Sequence, residues 1–255
     1  MNSTKQIIEN KIKSGEDVLI MVVGDSITWG LNHCTPDETY CAELARNFAE
    51  FFPNVSVLRY DGIVASGSKP LKCYEGPIKI SDKSSQTLTI VRSGIGGNTV
   101  KKALERTGDY VGNFITGQKP DLYLIMFGIN DSLIEDSNKY VTPDIYYEHL
   151  KQMYNAIKTA TPDSQIVFLT PTYNDNGTFY RSRLEPYSNK MKDLAAETKS
   201  FLIDTHSLWM SHLIVNSYNY GQRDWLSGVD GDSCHMSPKG SVETGKFIFK
   251  QLMEE

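Results

Sequence analysis

Six short apolar stretches recur along the chain, and longer segments of mixed apolar and polar residues separate most of them. The first stretch, VLIMVV at residues 18–23, runs directly into a glycine. Short apolar runs bounded by turn residues are typical of buried parallel strands. The other strands are predicted at residues 55–60, 87–91, 122–127, 165–170 and 200–204.

The segments between these stretches carry apolar residues at helical spacing. Residues 37–52 and 143–160 each place apolar side chains on one stripe, and a third helix is predicted to begin after Ser237 and Pro238, typical cap and first-turn residues. The stripe residues are Tyr40, Leu44, Phe48 and Phe51 in the first helix, Ile145, Leu150, Met153 and Ile157 in the second, and Val242, Phe247 and Leu252 in the third. Strands that alternate with helices predict an α/β fold with a mostly parallel sheet.

Two segments depart from this alternation. Residues 1–17 carry isoleucines at helical spacing among charged residues, which predicts a surface helix as an N-terminal extension. Residues 61–86 contain Gly, Ser, Lys and Pro where a helix would be expected, so we predict an inserted loop or hairpin there. We expect both segments to belong to a single domain over residues 1–255.

Composition and charge argue against several functional classes. The net charge is -5, and the Lys and Arg residues are scattered, so we expect no nucleic-acid partner. The longest apolar run is far shorter than the roughly 20 residues that span a bilayer, so we expect no membrane partner. The N-terminal segment lacks the apolar region of a signal peptide, which favours a cytoplasmic location, although a removed leader stays possible. Nothing in the sequence predicts the oligomeric state.

The cysteines do not form a recognisable metal or redox motif. Cys34, Cys41, Cys73 and Cys234 include no C-x-x-C pair, so neither a zinc site nor a dithiol is predicted. We predict free thiols, with a Cys34–Cys73 bridge as the alternative.

Reactive residue types follow several of the predicted strands. Ser26 follows the first strand, RSGIGGNTV (residues 92–100) follows the third, GIND (residues 128–131) follows the fourth, and DSCH (residues 232–235) precedes the last helix. Because the carboxyl ends of parallel strands share one edge of a sheet, residues that are far apart in sequence can meet there.

Together these turns supply each group that ester hydrolysis needs. Ser26 can attack, His235 can act as the base, and Asp232 can hold the other ring nitrogen of the histidine. The Ser26 backbone N–H, an N–H in the glycine loop and the Asn130 amide can stabilise the oxyanion. Taken alone, Ser26 is more typical of a helix cap than of a nucleophile, so the prediction depends on the joint pattern.

The blocks GDSIT, GIGGNT, GIND and DSCH resemble, in order and spacing, those of the SGNH hydrolases, also called GDSL esterases and lipases. The resemblance implies a flavodoxin-like three-layer α/β/α sandwich with about five mostly parallel strands. It also implies metal-independent ester hydrolysis without a cofactor. Carried over by position, the catalytic residues are Ser26, Asp232 and His235, and the oxyanion hole consists of Ser26, Gly97 and Asn130.

Two positions remain open within this resemblance. Gly96 is the alternative to Gly97 as an oxyanion donor, because the two glycines are adjacent. The last block often reads Asp-Gly-x-His, whereas Asp232 here is followed by Ser and Cys. The Asp230-Gly231 pair matches the first two letters but lies farther from the histidine, so Asp232 is predicted and Asp230 is the alternative.

Other polar residues near these blocks have structural or binding interpretations. We predict that Asp25 and Asp131 support the loops around the site, since Asp and Asn are common turn formers. We predict a substrate rim that includes Trp29, Tyr173, Asn174 and Trp225, because aromatic faces with hydrogen-bonding neighbours suit sugars. Such residues are equally typical of ordinary loops.

The sequence therefore predicts a serine esterase that hydrolyses short acyl esters, with acetylated carbohydrates as the favoured substrates. The alternatives are a lysophospholipase or thioesterase that accepts longer chains, and an inactive carbohydrate-binding domain. A metal-dependent phosphoesterase that uses Asp25, Asp131, Asp232 and His235 is a weaker alternative, because the chain offers few closely spaced histidines. A dinucleotide fingerprint fails because Thr99 stands where the third glycine belongs.

Overall fold

Seven strands form one sheet in a computed structural model of the chain, which describes residues 3–30, 34–64, 71–111, 117–134, 136–173, 178–216, 224–226 and 234–254. The strands are β1 Val18–Gly24, β2 Ser56–Val64, β3 Leu71–Lys79, β4 Thr87–Gly94, β5 Leu122–Met126, β6 Gln165–Leu169 and β7 Phe201–Ile203. Their order across the sheet is β3-β2-β4-β1-β5-β6-β7. All six strands predicted from the apolar stretches are present.

The prediction of about five strands was too low, because two additional strands extend one edge of the sheet. Strands β4, β1, β5, β6 and β7 are parallel and lie in the order 2-1-3-4-5 when they alone are numbered along the chain. This is the flavodoxin-like order. Strand β2 pairs parallel with β4, and β3 pairs antiparallel with β2 at the edge.

The segment at residues 61–86 contains the second half of β2 and all of β3, which form an antiparallel hairpin. A hairpin was one of the two alternatives predicted here, but β3 itself has no clear strand pattern, because its sequence, LKCYEGPIK, mixes lysines, a glutamate and a proline with its apolar residues. Charged residues and proline are typical of edge strands, where they discourage pairing with another chain. The hairpin therefore ends the sheet on this side.

The central strand β1 is buried on both faces, which explains its uninterrupted apolar sequence. Its alternate residues belong to two separate cores, with Ile20 and Val22 in one and Met21 and Val23 in the other. Helices cover each face, so the architecture has three layers, as predicted. The helices are α1 Thr4–Lys13, α2 Ser26–Trp29, α3 Tyr40–Phe51, α4 Val100–Glu105, α5 Gly108–Val111, α6 Pro143–Ala160, α7 Thr178–Thr198, α8 Thr205–Asn216 and α9 Pro238–Met253.

Most residues of the predicted helical stripes are buried, but the stripes were placed too broadly. Phe51 and Ile145 are 45% and 46% exposed, so both were wrongly assigned to the inward face. Phe51 packs edge-on against Phe52 on the surface, and Tyr146 takes the buried position beside Ile145. Val242 and Phe247 in α9 are only half-buried, whereas Thr244, Ile248 and Leu252 face the core.

The thiols agree with a further expectation from the sequence. Cys34, Cys41 and Cys234 are free, so the alternative Cys34–Cys73 bridge is not formed. Within the described ranges, no helix combines the length and apolar character needed to cross a membrane.

The end of β4 lies unusually close to the helix that follows β1. Gly94 pairs with Gly24 in the sheet, and α2 begins just beyond them. A Cβ added at Gly94 would lie 2.4 Å from the backbone nitrogen of Trp29 and 2.7 Å from the carbonyl carbon of Thr28. Only glycine therefore allows α2 to rest on this strand end.

We expect Gly94→Ala to lower the free energy of unfolding by about 1–3 kcal/mol, because overpacking against backbone atoms forces α2 to shift. Chemical denaturation of the wild type and the variant measures the difference. Gly108→Ala is the matched control, since a Cβ at Gly108 meets no atom within 4 Å. Equal stability of the two variants would show that the close approach is not tight in solution.

Candidate active site

Ser26 is the first residue of α2, the single helical turn that follows β1. The Asp25 carboxylate caps this turn by accepting a hydrogen bond of 2.9 Å from the Ile27 N–H. The turn ends at Gly30, whose N–H donates to the Ser26 carbonyl at 2.9 Å. Ser26 is only 5% exposed. The capped turn thus fixes the serine at the carboxyl end of the central strand.

His235 is held beside Ser26 by the segment that leads into α9. Met236 forms an isolated antiparallel bridge with Leu226, and the Ser237 N–H donates to the Trp225 carbonyl at 2.7 Å. The Ser237 side chain then caps α9 by accepting from the Gly240 N–H. The His235 Nε2 lies 2.8 Å from the Ser26 Oγ. The structure therefore brings the predicted base and nucleophile into hydrogen-bond contact.

The second ring nitrogen of His235 faces a residue that the sequence analysis did not single out. The Cys234 Sγ lies 3.5 Å from the His235 Nδ1. The predicted acid Asp232 and its alternative Asp230 lie outside the described residues, so the choice between them stays a prediction.

The glycine loop after β4 forms a tight turn at the same edge of the sheet. The Asn98 N–H donates to the Ile95 carbonyl at 3.2 Å, and Gly97 has a φ of +72°. A positive φ at the third position of a turn is the conformation that favours glycine. Asn98 thereby uses its own N–H within the turn. The N–H groups of Gly96 and Gly97 both remain candidates for an oxyanion donor.

Asn130 connects the turns after three neighbouring strands. It follows β5, and its Nδ2 donates to the Asn98 carbonyl at 3.0 Å and to the Asp25 Oδ2 at 3.4 Å. Asn130 is 6% exposed. The structure therefore places this predicted oxyanion donor between the nucleophile turn and the glycine loop.

Two buried carboxyl groups lie beneath this arrangement. Burial raises the pKa of Asp25 to about 7, although hydrogen bonds from Ile27 and Asn130 oppose the shift. Burial raises the pKa of Asp131 to about 8, and repulsion from Asp25 adds to this shift. The Asp131 Oδ1 accepts from the Val100 N–H at 3.1 Å, which ties the start of α4 to the β5 turn. Each of the two carboxyl groups thus accepts a backbone N–H in the loops beside the site, and their role there stays a prediction.

Buried charged side chains connect the hairpin formed by β2 and β3 to α2, the turn that begins at Ser26. The Arg92 side chain on β4 donates to the Trp29 carbonyl at the end of α2 and, through Nε, to the Asp61 Oδ1 at 2.8 Å. Asp61 lies on β2 and also accepts from the Arg59 Nε at 3.2 Å. Arg59 is fully buried, and its Nη2 pairs with the exposed Asp37 at 2.8 Å. This cluster links the added hairpin to the site.

The predicted substrate rim is only partly accessible. Trp29 is half-buried and lies against the glycine loop. Tyr173 and Trp225 are 1% and 7% exposed, so both are packed in the described structure, and their part in a substrate rim stays a prediction. Trp225 is part of a hydrophobic core, and its ring stacks on that of His212 with the ring centroids 3.6 Å apart. Asn174 lies outside the described residues.

The immediate surroundings of Ser26 and His235 form a small space. Its lining residues are Ser26, Ile27, Gly30, Cys34, His235, Met236 and Ser241, and its empty volume is about 180 Å³. Cys34, Met236 and Ser241 were not identified from the sequence, because no motif marks them. In the described part of the chain, no three His, Cys, Asp or Glu side chains are grouped as metal ligands would be.

The fold and the site define an α/β protein with a serine–histidine pair at the carboxyl edge of a parallel sheet. A sequence model of the GDSL-like lipase/acylhydrolase family matches residues 61–241, which is more than half of the chain. The chain therefore belongs to this family, and it is a GDSL-like hydrolase. The matched range includes the glycine loop, Asn130 and His235 but begins after Ser26. None of the curated protein sequences compared with the chain matches it.

Solved structures of similar fold include several esterases. Axe2, an acetylxylan esterase from Geobacillus stearothermophilus, is 21% identical, with a TM-score of 0.62 and coverage of 92% of this chain and 94% of Axe2. The acetyl xylan esterase AlAXEase is 16% identical, with a TM-score of 0.64 and coverage of 91% and 98%. A GDSL-like lipase from Parabacteroides merdae, described as putative, is 19% identical, with a TM-score of 0.64 and coverage of 93% and 96%. At this identity the similarity establishes the shared fold.

The raised pKa of Asp131 predicts a pH-dependent effect on stability. A buried carboxyl whose pKa is about 8 in the folded state and near 4 in the unfolded state stabilises the fold fully below pH ~4, and this contribution is lost as the pH rises towards 8. Asp131→Asn keeps the acceptor for the Val100 N–H and cannot ionise. The free energy of unfolding of the wild type should therefore fall, relative to the variant, by up to about 1.4 kcal/mol per pH unit across this range.

Urea unfolding of the wild type and Asp131→Asn between pH 5 and pH 8 measures this difference. Asp82→Asn, at an exposed carboxyl, is the control and should show no such trend. A constant difference between the wild type and Asp131→Asn would mean that Asp131 ionises freely in the folded protein.

Proposed function

We propose that this protein is a serine esterase that removes short acyl groups, above all acetyl groups, from carbohydrates. The contact of 2.8 Å between the His235 Nε2 and the Ser26 Oγ is the observation that carries the proposal. A hydroxyl paired with an imidazole is the arrangement that activates a serine for acyl transfer. Ser26 lies where the strand ends converge, beside two further turns that offer oxyanion donors.

The first step is attack on the ester carbonyl. His235 takes the proton from the Ser26 Oγ as the oxygen bonds to the carbonyl carbon. The negative oxygen is stabilised by the N–H groups of Ser26 and Gly97 and by the Asn130 amide. Asn130 already uses both amide hydrogens, and its contact to Asp25 at 3.4 Å is the longer of the two. That contact is the one the oxyanion replaces.

The second step releases the products. His235 returns its proton to the alcohol oxygen, so the alcohol leaves and the acyl group stays on Ser26. Water then attacks the acyl carbon while His235 takes a proton from it, and His235 returns this proton to the Ser26 Oγ as the bond to the serine breaks and the carboxylic acid departs. Asp232 holds the imidazole during both steps in this proposal.

Two observations support a short acyl group and a carbohydrate alcohol. The space that Ser26 and His235 share is narrow, because Ile27, Cys34 and Met236 pack around it, and a short acyl group suits such a site better than a long chain. The fold relatives include Axe2 and AlAXEase, which are acetyl xylan esterases, and solved structures of Axe2 include catalytic mutants at one serine and one histidine.

The direct test is hydrolysis of p-nitrophenyl acetate by the wild type and Ser26→Ala. We expect the variant to lose at least about a thousandfold in kcat, because removing the nucleophile of such a site leaves only binding and oxyanion effects. Ser211→Ala, on the exposed face of α8, is the control and should retain full activity. Comparable activity in Ser26→Ala would refute a serine mechanism, and inhibition by EDTA would favour the metal-dependent alternative.

The acyl preference is tested with p-nitrophenyl acetate, butyrate and octanoate. A steep fall in kcat/KM beyond butyrate is expected for a small acyl site. A rise towards octanoate would instead favour a lysophospholipase or thioesterase. Hydrolysis of none of the three, together with binding of sugars, would identify an inactive carbohydrate-binding domain.

The acid of the triad is tested separately with Asp232→Asn and Asp230→Asn. Loss of the carboxylate that orients the histidine should lower kcat by about a hundredfold to ten-thousandfold. We expect this loss in Asp232→Asn and a change of less than about twofold in Asp230→Asn, measured with p-nitrophenyl acetate at neutral pH. The opposite result would assign the orienting role to Asp230.

A further inference from the structure

The Gly96–Gly97 turn has two chemically different side chains against its two glycines. A Cβ at Gly96 would lie 3.1 Å from the Trp29 ring, and a Cβ at Gly97 would lie 3.8 Å from the Lys139 Nζ. The indole and the ammonium therefore both lie beside the backbone of the loop that contains the predicted oxyanion donor, and the approach of the indole to Gly96 is the closer of the two. An aromatic face and a cation therefore flank the glycine loop.

The cation has further lysines near it in the described structure. Lys139 pairs with Asp136 at 3.1 Å, with 26% and 35% of the two side chains exposed. Lys101 and Lys102 lie in the first turn of α4, directly after the glycine loop, and Lys102 acts electrostatically on Asp136. Lys139 and Lys102 thus both act on Asp136, whereas the whole chain has a net charge of -5. A positive region beside a reactive centre attracts anionic substrates.

We propose that Lys139 determines specificity by binding a carboxylate on the substrate, so that the preferred ester is an acetylated sugar that carries an acidic group, such as a uronate. This inference rests on the proposed esterase function. The ammonium has three donors, and Asp136 occupies one of them in a partly exposed pair that is weak and exchangeable. Trp29 supplies the flat apolar surface on which the sugar ring packs.

The test compares two substrates that differ only in this charge. The first is a monoacetylated methyl glucoside and the second is the corresponding methyl glucuronoside, with kcat and KM measured for each. Wild type, Lys139→Gln and Lys139→Arg are assayed at low and high salt. Lys246→Gln is the matched control, because Lys246 also pairs with an acidic residue three positions earlier, Glu243, at 3.1 Å, but lies on α9.

We expect the wild type to have a higher kcat/KM for the glucuronoside than for the glucoside. Lys139→Gln should lower the ratio of these two kcat/KM values by about three- to tenfold, mainly by raising the KM for the glucuronoside. Lys139→Arg should largely retain the ratio, Lys246→Gln should not change it, and high salt should reduce it in the wild type. Thermal unfolding of each variant checks that the fold is intact.

The outcomes separate this inference from the function on which it rests. A wild type that hydrolyses the glucoside and p-nitrophenyl acetate but shows no preference for the glucuronoside overturns the role of Lys139 and leaves the esterase proposal standing. An equal loss in Lys246→Gln also overturns it, since the effect would then be one of overall charge. Hydrolysis of no ester by the wild type overturns both.

Discussion

The hydrogen bonds that leave the Asn130–Asp131 pair are the constraint on which the rest of the site depends. Asn130 reaches the turns after β1 and β4, and Asp131 reaches the start of α4. These turns are adjacent because β4, β1 and β5 are neighbours in a parallel sheet. The sheet alone brings the strand ends together within several ångströms. The side-chain hydrogen bonds then fix the turns relative to one another, as the proposed acyl transfer would require.

This arrangement costs stability at neutral pH. Asp25 and Asp131 are both almost fully buried, and a carboxylate in such surroundings is disfavoured unless hydrogen bonds compensate for the lost water. Each carboxyl accepts a backbone N–H, but the Asp131 Oδ2 has no partner in the described part of the chain. Buried polar groups with incomplete partners are characteristic of functional sites, where geometry takes precedence over stability.

The sequence predicts the central part of the fold well, because strands buried on both faces have continuous apolar runs such as that of β1. The sequence is less informative about the edge of the sheet and about the margins of the helical stripes. Strand β3 carries the polar residues of an edge strand, and helical periodicity identifies a stripe without showing that Phe51 and Ile145 lie at its exposed margin. Local pattern carries no information about which neighbour covers a residue.

The same distinction applies to the site. The contact between Ser26 and His235 could be anticipated, because the two residues belong to the GDSIT and DSCH motifs, which resemble those of a known hydrolase family. The burial of Tyr173 and Trp225 could not, because aromatic residues near a loop serve equally as core or as binding surface. The approach of Lys139 to Gly97 could not be anticipated either, since it depends on the path of the turn that follows Asn130.

The edge hairpin is more than an extension of the sheet, because its charges act on the nucleophile turn. Arg92 can hold the Trp29 carbonyl only while its own position is fixed, and Asp61 on β2 provides that anchor. Arg59 shares the same carboxylate, so two buried guanidinium groups depend on Asp61 and on the exposed Asp37. Removing one partner of a buried ion pair leaves the other charge buried without compensation, and this strongly lowers the stability of the fold. The hairpin therefore supports the carboxyl end of α2 from outside, while Asp25 caps its start from within the site.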